Sequence, residues 1–292
     1  GEATFASMDA FLDPGDEILV PNPVWLNYIH VPSALGAVPV TYSLKEENDY
    51  QIDFEEMESR ITDKTKMIVV VNPSNPTGGV FSRETLEKLS EIAIRHDLLV
   101  IADEIYSQLV YDGTEHVSIA SLPGMKERTI TLGGFSKAYS MTGWRLGYLC
   151  APVGIIQACV RVHQYTVTCA SSFVQEAAIT ALTDCAAAVE AMRQEYQRSK
   201  DYVVTALNEI DGISCNNPHG AFYIFVNIKS LGMTSMEVAE YLLENAKIAL
   251  VPGSAFGSEG EGYLRISYAC SYEELQEACA RIKKAVEELK NK

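Results

Sequence analysis

The stretch Thr131–Tyr148, "TLGGFSKAYSMTGWRLGY", holds one lysine among Gly, Ser and aromatic residues, and an arginine eight positions later. The apolar run "RTITL" leads into it, so Lys137 falls where a strand gives way to a turn of small residues. Surface lysines keep polar company, and this one has none in its neighbourhood. A lone amine at a strand end suits a partly desolvated nucleophile, because desolvation favours the neutral form.

Outward from that stretch, short apolar runs alternate with helical ones. "DEILVP", "AVPVTYSL", "KMIVVV", "LLVIAD" and "RTITLGGF" have the length and composition of strands. "TFASMDAFL", "WLNYIHVPSAL", "DFEEMESRI" and "SRETLEKLSEIAIRHD" have helical spacing, the last with a Ser-x-x-Thr start. This order predicts an α/β fold with a mostly parallel sheet covered on both faces by helices. From Thr183 to Ile210 the helical period persists as one long bridging helix. Beyond it, "AFYIFVNI", "SMEVAEYLLENA", "IALVPG", "YLRISYA" and the final "SYEELQEACARIKKAVEELKNK" predict a smaller α+β unit. The expected division is 1–185 for the larger unit, incomplete at its start, and 186–292 for the smaller.

Composition excludes several classes. With 47% hydrophobic and 21% charged residues in 292, the chain can bury a sizeable core. A net charge of −16 repels phosphate backbones and anionic membranes, which argues against nucleic-acid and membrane partners. The seven cysteines, at 150, 159, 169, 185, 215, 270 and 279, form no C-x-x-C pair and no metal spacing. They read as free thiols of a reducing compartment, the cytoplasm, and no metal is expected.

In a parallel α/β sheet, ligands gather at the carboxyl ends of the strands. Four polar signals sit there: Asn72 and Asn75 in "VVVNPSNPTGG", Asp103, Glu104 and Tyr106 in "VIADEIY", Ser136 and Lys137, and then Arg145. Separately each has an ordinary explanation as a turn, a cap or a surface charge. Together they match the needs of pyridoxal phosphate chemistry. An amine captures the cofactor aldehyde, and a carboxylate keeps the pyridine nitrogen protonated. A donor serves the ring hydroxyl, and cations with backbone N–H groups hold the phosphate.

"NPSNPTG", "ADEIY", "GFSKAYSMTGWRLGY" and "LRISYA", in that order, resemble the class I and II aminotransferases of the aspartate aminotransferase fold, over essentially the whole chain. The resemblance implies pyridoxal 5'-phosphate on Lys137, Asp103 at the pyridine nitrogen, Tyr106 and Asn75 at the ring oxygen, and Arg145 with Ser136 at the phosphate. It implies Trp25 stacked on the ring, Arg265 on the substrate α-carboxylate, and Trp25 and Asn75 near the substrate. "GEAT", from Gly1 through Glu2 and Ala3 to Thr4, resembles the tail of the phosphate loop, which places about one hundred further residues before it. Gly134 stands where the family often has serine. The implied reaction moves an amino group between an L-amino acid and a 2-oxo acid. A carbon–sulfur β-lyase of the same fold would use the same residues, and a non-catalytic binding module is the alternative of a different class. Val160–Ala178, "VRVHQYTVTCASSFVQEAA", is nearly free of acids and suits either a homodimer interface or an internal helix.

Overall fold

The computed structural model describes residues 1–291, so Lys292, the end of the expected last helix and of the 186–292 unit, lies outside the described residues. Six strands form the main sheet: β1 Glu17–Asn22, β2 Val38–Ser43, β3 Thr65–Val71, β4 Leu99–Asp103, β5 Thr129–Gly134 and β6 Gly147–Cys150. Their order is β2-β1-β3-β4-β5-β6. All neighbours run parallel except β6, which is antiparallel to β5. The helices of this region are α1 Glu2–Asp9, α2 Asn27–Ala34, α3 Phe54–Ser59, α4 Arg83–Arg95, α5 Val153–Thr166 and α6 Ser172–Asp184.

Both faces of the sheet are covered, which is why its strands are almost continuously apolar. Side chains alternate along β3: Ile68 and Val70 join a core with Leu86, Leu89 and Ile92 of α4, while Met67, Val69 and Val71 join another with Met8 of α1 and Tyr28 of α2. Helix α4 starts where its sequence places a cap, the Ser82 hydroxyl accepting from the Thr85 N–H.

The second sheet is small and antiparallel. Its strands are β7 Tyr223–Asn227, β8 Val251–Pro252 and β9 Tyr263–Ser267, in the order β7-β9-β8. It packs with α7 Ala186–Asn208, α8 Ser235–Ala246 and α9 Tyr272–Lys290. Two capping boxes, Thr234 with Glu237 and Ser271 with Glu274, start α8 and α9. The core of this part also takes in Tyr106, Leu109 and Tyr111 from the segment after β4. That segment therefore belongs to the main sheet by its chain and to the smaller core by its side chains.

One expectation needs correction. The long helix predicted from Thr183 is broken at Cys185, which caps α6 and opens α7. Helical periodicity carries through such a break, since each piece keeps its own apolar stripe. Val160–Ala178 likewise is not one internal helix but the end of α5, a connection, and the start of α6, with much of its apolar surface exposed.

Candidate active site

Strands β3, β4 and β5 deliver their carboxyl ends side by side, and the loops that follow carry the polar residues. Asp103 closes β4. Its Oδ2 accepts from the Tyr28 hydroxyl at 2.6 Å, and its Oδ1 accepts from the Ile105 N–H at 3.2 Å. Burial pushes the Asp103 carboxyl above its ordinary value, and the Tyr28 hydrogen bond pulls it partly back. The carboxylate is thus short of water and short of a positive partner.

Lys137 follows β5 and is half-buried. Its Nζ lies 5.8 Å from the Tyr106 ring centroid and 5.5 Å from that of Phe222, within the range of a cation over an aromatic face. Among the described residues it forms no hydrogen bond or ion pair. Desolvation pushes the amine below the ordinary lysine value; Arg265 and Arg145 push the same way, and Asp103 opposes them. These couplings bring Lys137, Asp103, Arg145 and Arg265 into one electrostatic neighbourhood, although they stand far apart in sequence.

Asn75 and Arg265 meet directly: Arg265 Nη1 donates to Asn75 Oδ1 at 2.9 Å. Asn75 is buried, on the loop after β3, and Arg265 lies in the middle of β9. The guanidinium sits 4.4 Å from the Tyr223 ring centroid and 4.8 Å from that of Phe256. No carboxylate pairs with Arg265 among the described residues, and its Nε is buried without a hydrogen-bond partner. Burial lowers its affinity for its proton. A dry, fork-shaped cation with unused donors is a site for a planar anion.

Tyr106 is buried, and its hydroxyl shares a hydrogen bond of 2.9 Å with the Tyr223 hydroxyl. Arg145 is exposed with left-handed φ of 53°, just past a one-turn 3-10 segment, Thr142–Trp144, and its Nη1 donates to the Thr142 carbonyl at 2.8 Å. Ser136 is half-buried one position before Lys137. Trp25 is partly exposed in the loop between β1 and α2. Gly1 caps α1, whose first-turn N–H groups, including those of Glu2 and Ala3, have no helical partners, as at any helix start, an arrangement that suits an anion. The Glu2 side chain itself is taken by His163, its Oε1 lying 2.5 Å from Nδ1. Glu104 is turned towards His116, at 3.4 Å, rather than into the group around Lys137.

The glycines before Lys137 have a packing reason. A Cβ at Gly133 would fall 2.4 Å from the Tyr148 ring, and one at Gly134 would fall 3.1 Å from Ile105 Cδ1 and from Gly147 Cα. The strand pair β5–β6 closes over "GG" because neither position carries a side chain. A serine at 134 would crowd that contact.

Sequence reasoning missed Tyr28, Phe222, Tyr223 and Phe256. Tyr28 stands within "PNPVWLNY", three residues after Trp25, and Phe222 and Tyr223 within "AFYIFVNI". Only the tertiary arrangement shows that their rings and hydroxyls point at the polar group.

Taken together, the sheet and the residues at its carboxyl edge define an α/β protein whose site joins a desolvated amine, a desolvated carboxylate and an unpaired guanidinium. Residues 1–282 match the family model "Aminotransferase class I and II". An aspartate aminotransferase of Pyrococcus abyssi is 46% identical over 291 residues, 99% of this chain and 75% of that protein. Aromatic-amino-acid aminotransferase 2 of Thermococcus litoralis is 45% identical over 96% of this chain and 72% of its own length. The crystal structure of an aromatic aminotransferase from Pyrococcus horikoshii superposes with a TM-score of 0.97 at 44% identity, covering 99% of this chain and 78% of that one. The chain belongs to the class I and II aminotransferase family and is an aminotransferase.

Proposed function

We propose that the protein is a pyridoxal-phosphate-dependent aminotransferase that moves an amino group between an L-amino acid and a 2-oxo acid. The observation that carries this reading is the desolvated Lys137 amine, without a bonded partner, in the field of Asp103 and Arg265. Each of those charged groups lacks a counter-charge of its own, and the proposed cofactor and substrate would supply them. The cofactor, when bound, supplies an aldehyde for the lysine and an electron-withdrawing ring.

The chain's own residues divide the remaining work. Lys137 Nζ would hold the cofactor through its aldehyde and, once released, would carry the proton to and from the reacting carbon. Asp103 would keep the pyridine nitrogen protonated, and Tyr28 keeps the carboxylate oriented with its 2.6 Å hydrogen bond. Tyr106 and Asn75 would serve the ring oxygen, and Trp25 would offer its face to the ring. Arg145, Ser136 and the N–H groups at Gly1, Glu2 and Ala3 would hold the phosphate. Arg265 binds the α-carboxylate through the donors left free by its single bond to Asn75.

The relatives are aspartate and aromatic aminotransferases, which supports amino-acid and 2-oxo-acid substrates of that general kind. A homodimer is supported by the exposed apolar side chains of β6, α5 and α6, among them Tyr148, Val153, Val160, Tyr165, Phe173 and Ile179. The break between α6 and α7 at Cys185 supports a division into units 1–185 and 186–292. A cytoplasmic location is supported by seven free cysteines, and no helix among the described residues is long and apolar enough to cross a membrane.

The test is a panel of amino donors offered with 2-oxoglutarate to the cofactor-loaded protein. Glutamate formation is the expected result. Pyruvate and ammonia from cystathionine, with no glutamate from any donor, would make it a β-lyase instead.

A further inference from the structure

The hydroxyl of Tyr223 has no place in the assignments above, yet it touches two of them. Tyr223 opens β7 and is buried. Its ring carries the Arg265 guanidinium at 4.4 Å, and the Phe256 ring lies 4.8 Å from the same group. Its hydroxyl lies 2.9 Å from that of Tyr106, and the two rings meet edge to face, 5.7 Å between centroids and 81° between planes. One side chain therefore holds the carboxylate-binding arginine with its face and the ring-oxygen tyrosine with its tip.

In a pair of hydroxyls, either oxygen can be the donor, and the surrounding charge decides. The groups facing Tyr106 are Tyr223, Asp103 and Arg265, with the Lys137 amine over its ring. Those facing Tyr223 are Tyr106, Arg265 and Tyr196. Asp103 is coupled to Tyr106, and its negative charge makes that oxygen the better acceptor. Arg265 lies directly over the Tyr223 ring, and its positive charge polarises that O–H as the donor. A Tyr106 that accepts from Tyr223 presents its own proton to the site, and the chained bond strengthens that donation.

We infer that Tyr223 is a positioning residue for this reaction: its hydroxyl donates to Tyr106 and turns the Tyr106 proton into the site, while its ring fixes Arg265 for the substrate carboxylate. The inference rests on the proposed function, since it needs a cofactor oxygen in front of Tyr106 and a carboxylate in front of Arg265.

Two variants separate the two halves. Tyr223→Phe keeps the ring and removes only the hydroxyl. With a weaker Tyr106 donor, the lysine–cofactor chromophore should hold its proton more tightly. The pH midpoint of its visible band should rise by about 0.3–1 unit, the scale of one hydrogen bond. The KM for amino donors should stay within about twofold, because the stack on Arg265 is intact. Tyr223→Leu removes both contacts and should also raise KM about five- to tenfold for every donor, the scale of one cation–aromatic contact. An unmoved or lowered midpoint in Tyr223→Phe would overturn the role of the hydroxyl, and an unmoved KM in a folded Tyr223→Leu would overturn that of the ring. The Phe variant decides alone if the Leu variant does not fold. If the unaltered protein mixed with pyridoxal phosphate shows no such band, the reading of the site fails first; a normal band that the substitutions leave unchanged overturns the inference about Tyr223 alone.

Discussion

Asp103, Lys137 and Arg265 are each deprived of water without being given a full counter-charge in return. Such an arrangement costs stability and is kept where a ligand completes it. For Asp103 the sign can be worked out. Its carboxyl lies above the ordinary value, so the folded state binds this proton more tightly than the unfolded chain. Stability is therefore lost as pH rises from the unfolded value through the folded one. Asp103→Asn should raise the melting temperature of cofactor-free protein at neutral pH by roughly a few degrees, an advantage that disappears in acid. The same substitution should cut turnover by orders of magnitude. Equal melting curves at neutral pH would mean the carboxylate is not strained. Lys137 shifts the other way, below the ordinary lysine value, because burial and Arg265 disfavour its charge. Its neutral form is then reached at lower pH, so the rate of covalent cofactor capture should climb with a midpoint below that of an exposed lysine. A stopped-flow pH series reads this directly. Arg265→Lys keeps one charge and loses the fork. It should raise KM at least about tenfold for all donors while the cofactor absorbance is unchanged.

At the level of elements, most of the main sheet could be read from its apolar runs, because strands buried on both faces leave a continuous signal. Strand β6 could not. "GYLC" is four residues long, follows the "MTGWR" turn, and is antiparallel at a sheet edge with much of its surface exposed. The order Asn75, Asp103, Tyr106, Lys137, Arg265 was legible because each falls at a strand end or within a strand. The aromatic residues that hold them were not, since Tyr28 and Tyr223 differ from ordinary core tyrosines only in what faces their hydroxyls. The connection that joins the loop after β3 to the start of β7 shows the same limit. A Cβ on Gly220 would fall 2.5 Å from Pro73 Cβ, and one on Gly78, where φ is +71°, 2.4 Å from Pro218 Cβ. The backbones of two distant segments lie in contact there, and Asn75 and Tyr223 take their places from it. Gly220→Ala should therefore cost about 1–3 kcal/mol of stability, the usual penalty of overpacking, and raise the KM for amino donors. A variant that denatures and turns over like the parent would show that the two segments can part freely.

Over the whole molecule, an acidic chain leaves many large apolar side chains exposed, with Tyr165 91% and Phe173 76% exposed. Helices α5 and α6 carry several of them, and Glu2 of α1 is tied to His163 of α5 beside the first-turn N–H groups proposed for the phosphate. A partner covering these helices would bury apolar area next to the cofactor, which is why assembly and cofactor retention should rise and fall together. Phe173→Asp should shift sedimentation towards the monomer and weaken cofactor retention; a variant that remains dimeric would place the interface elsewhere. The central claim, however, is that Lys137 carries the cofactor, and one measurement addresses it without assuming a substrate. The protein is loaded with pyridoxal phosphate, reduced with borohydride, digested, and the modified peptide is sequenced by mass spectrometry. The predicted result is a single stable adduct on Lys137, within the peptide containing "GGFSKAYSM". Stoichiometric labelling of another lysine, or no adduct on Lys137 in folded protein, would contradict the account.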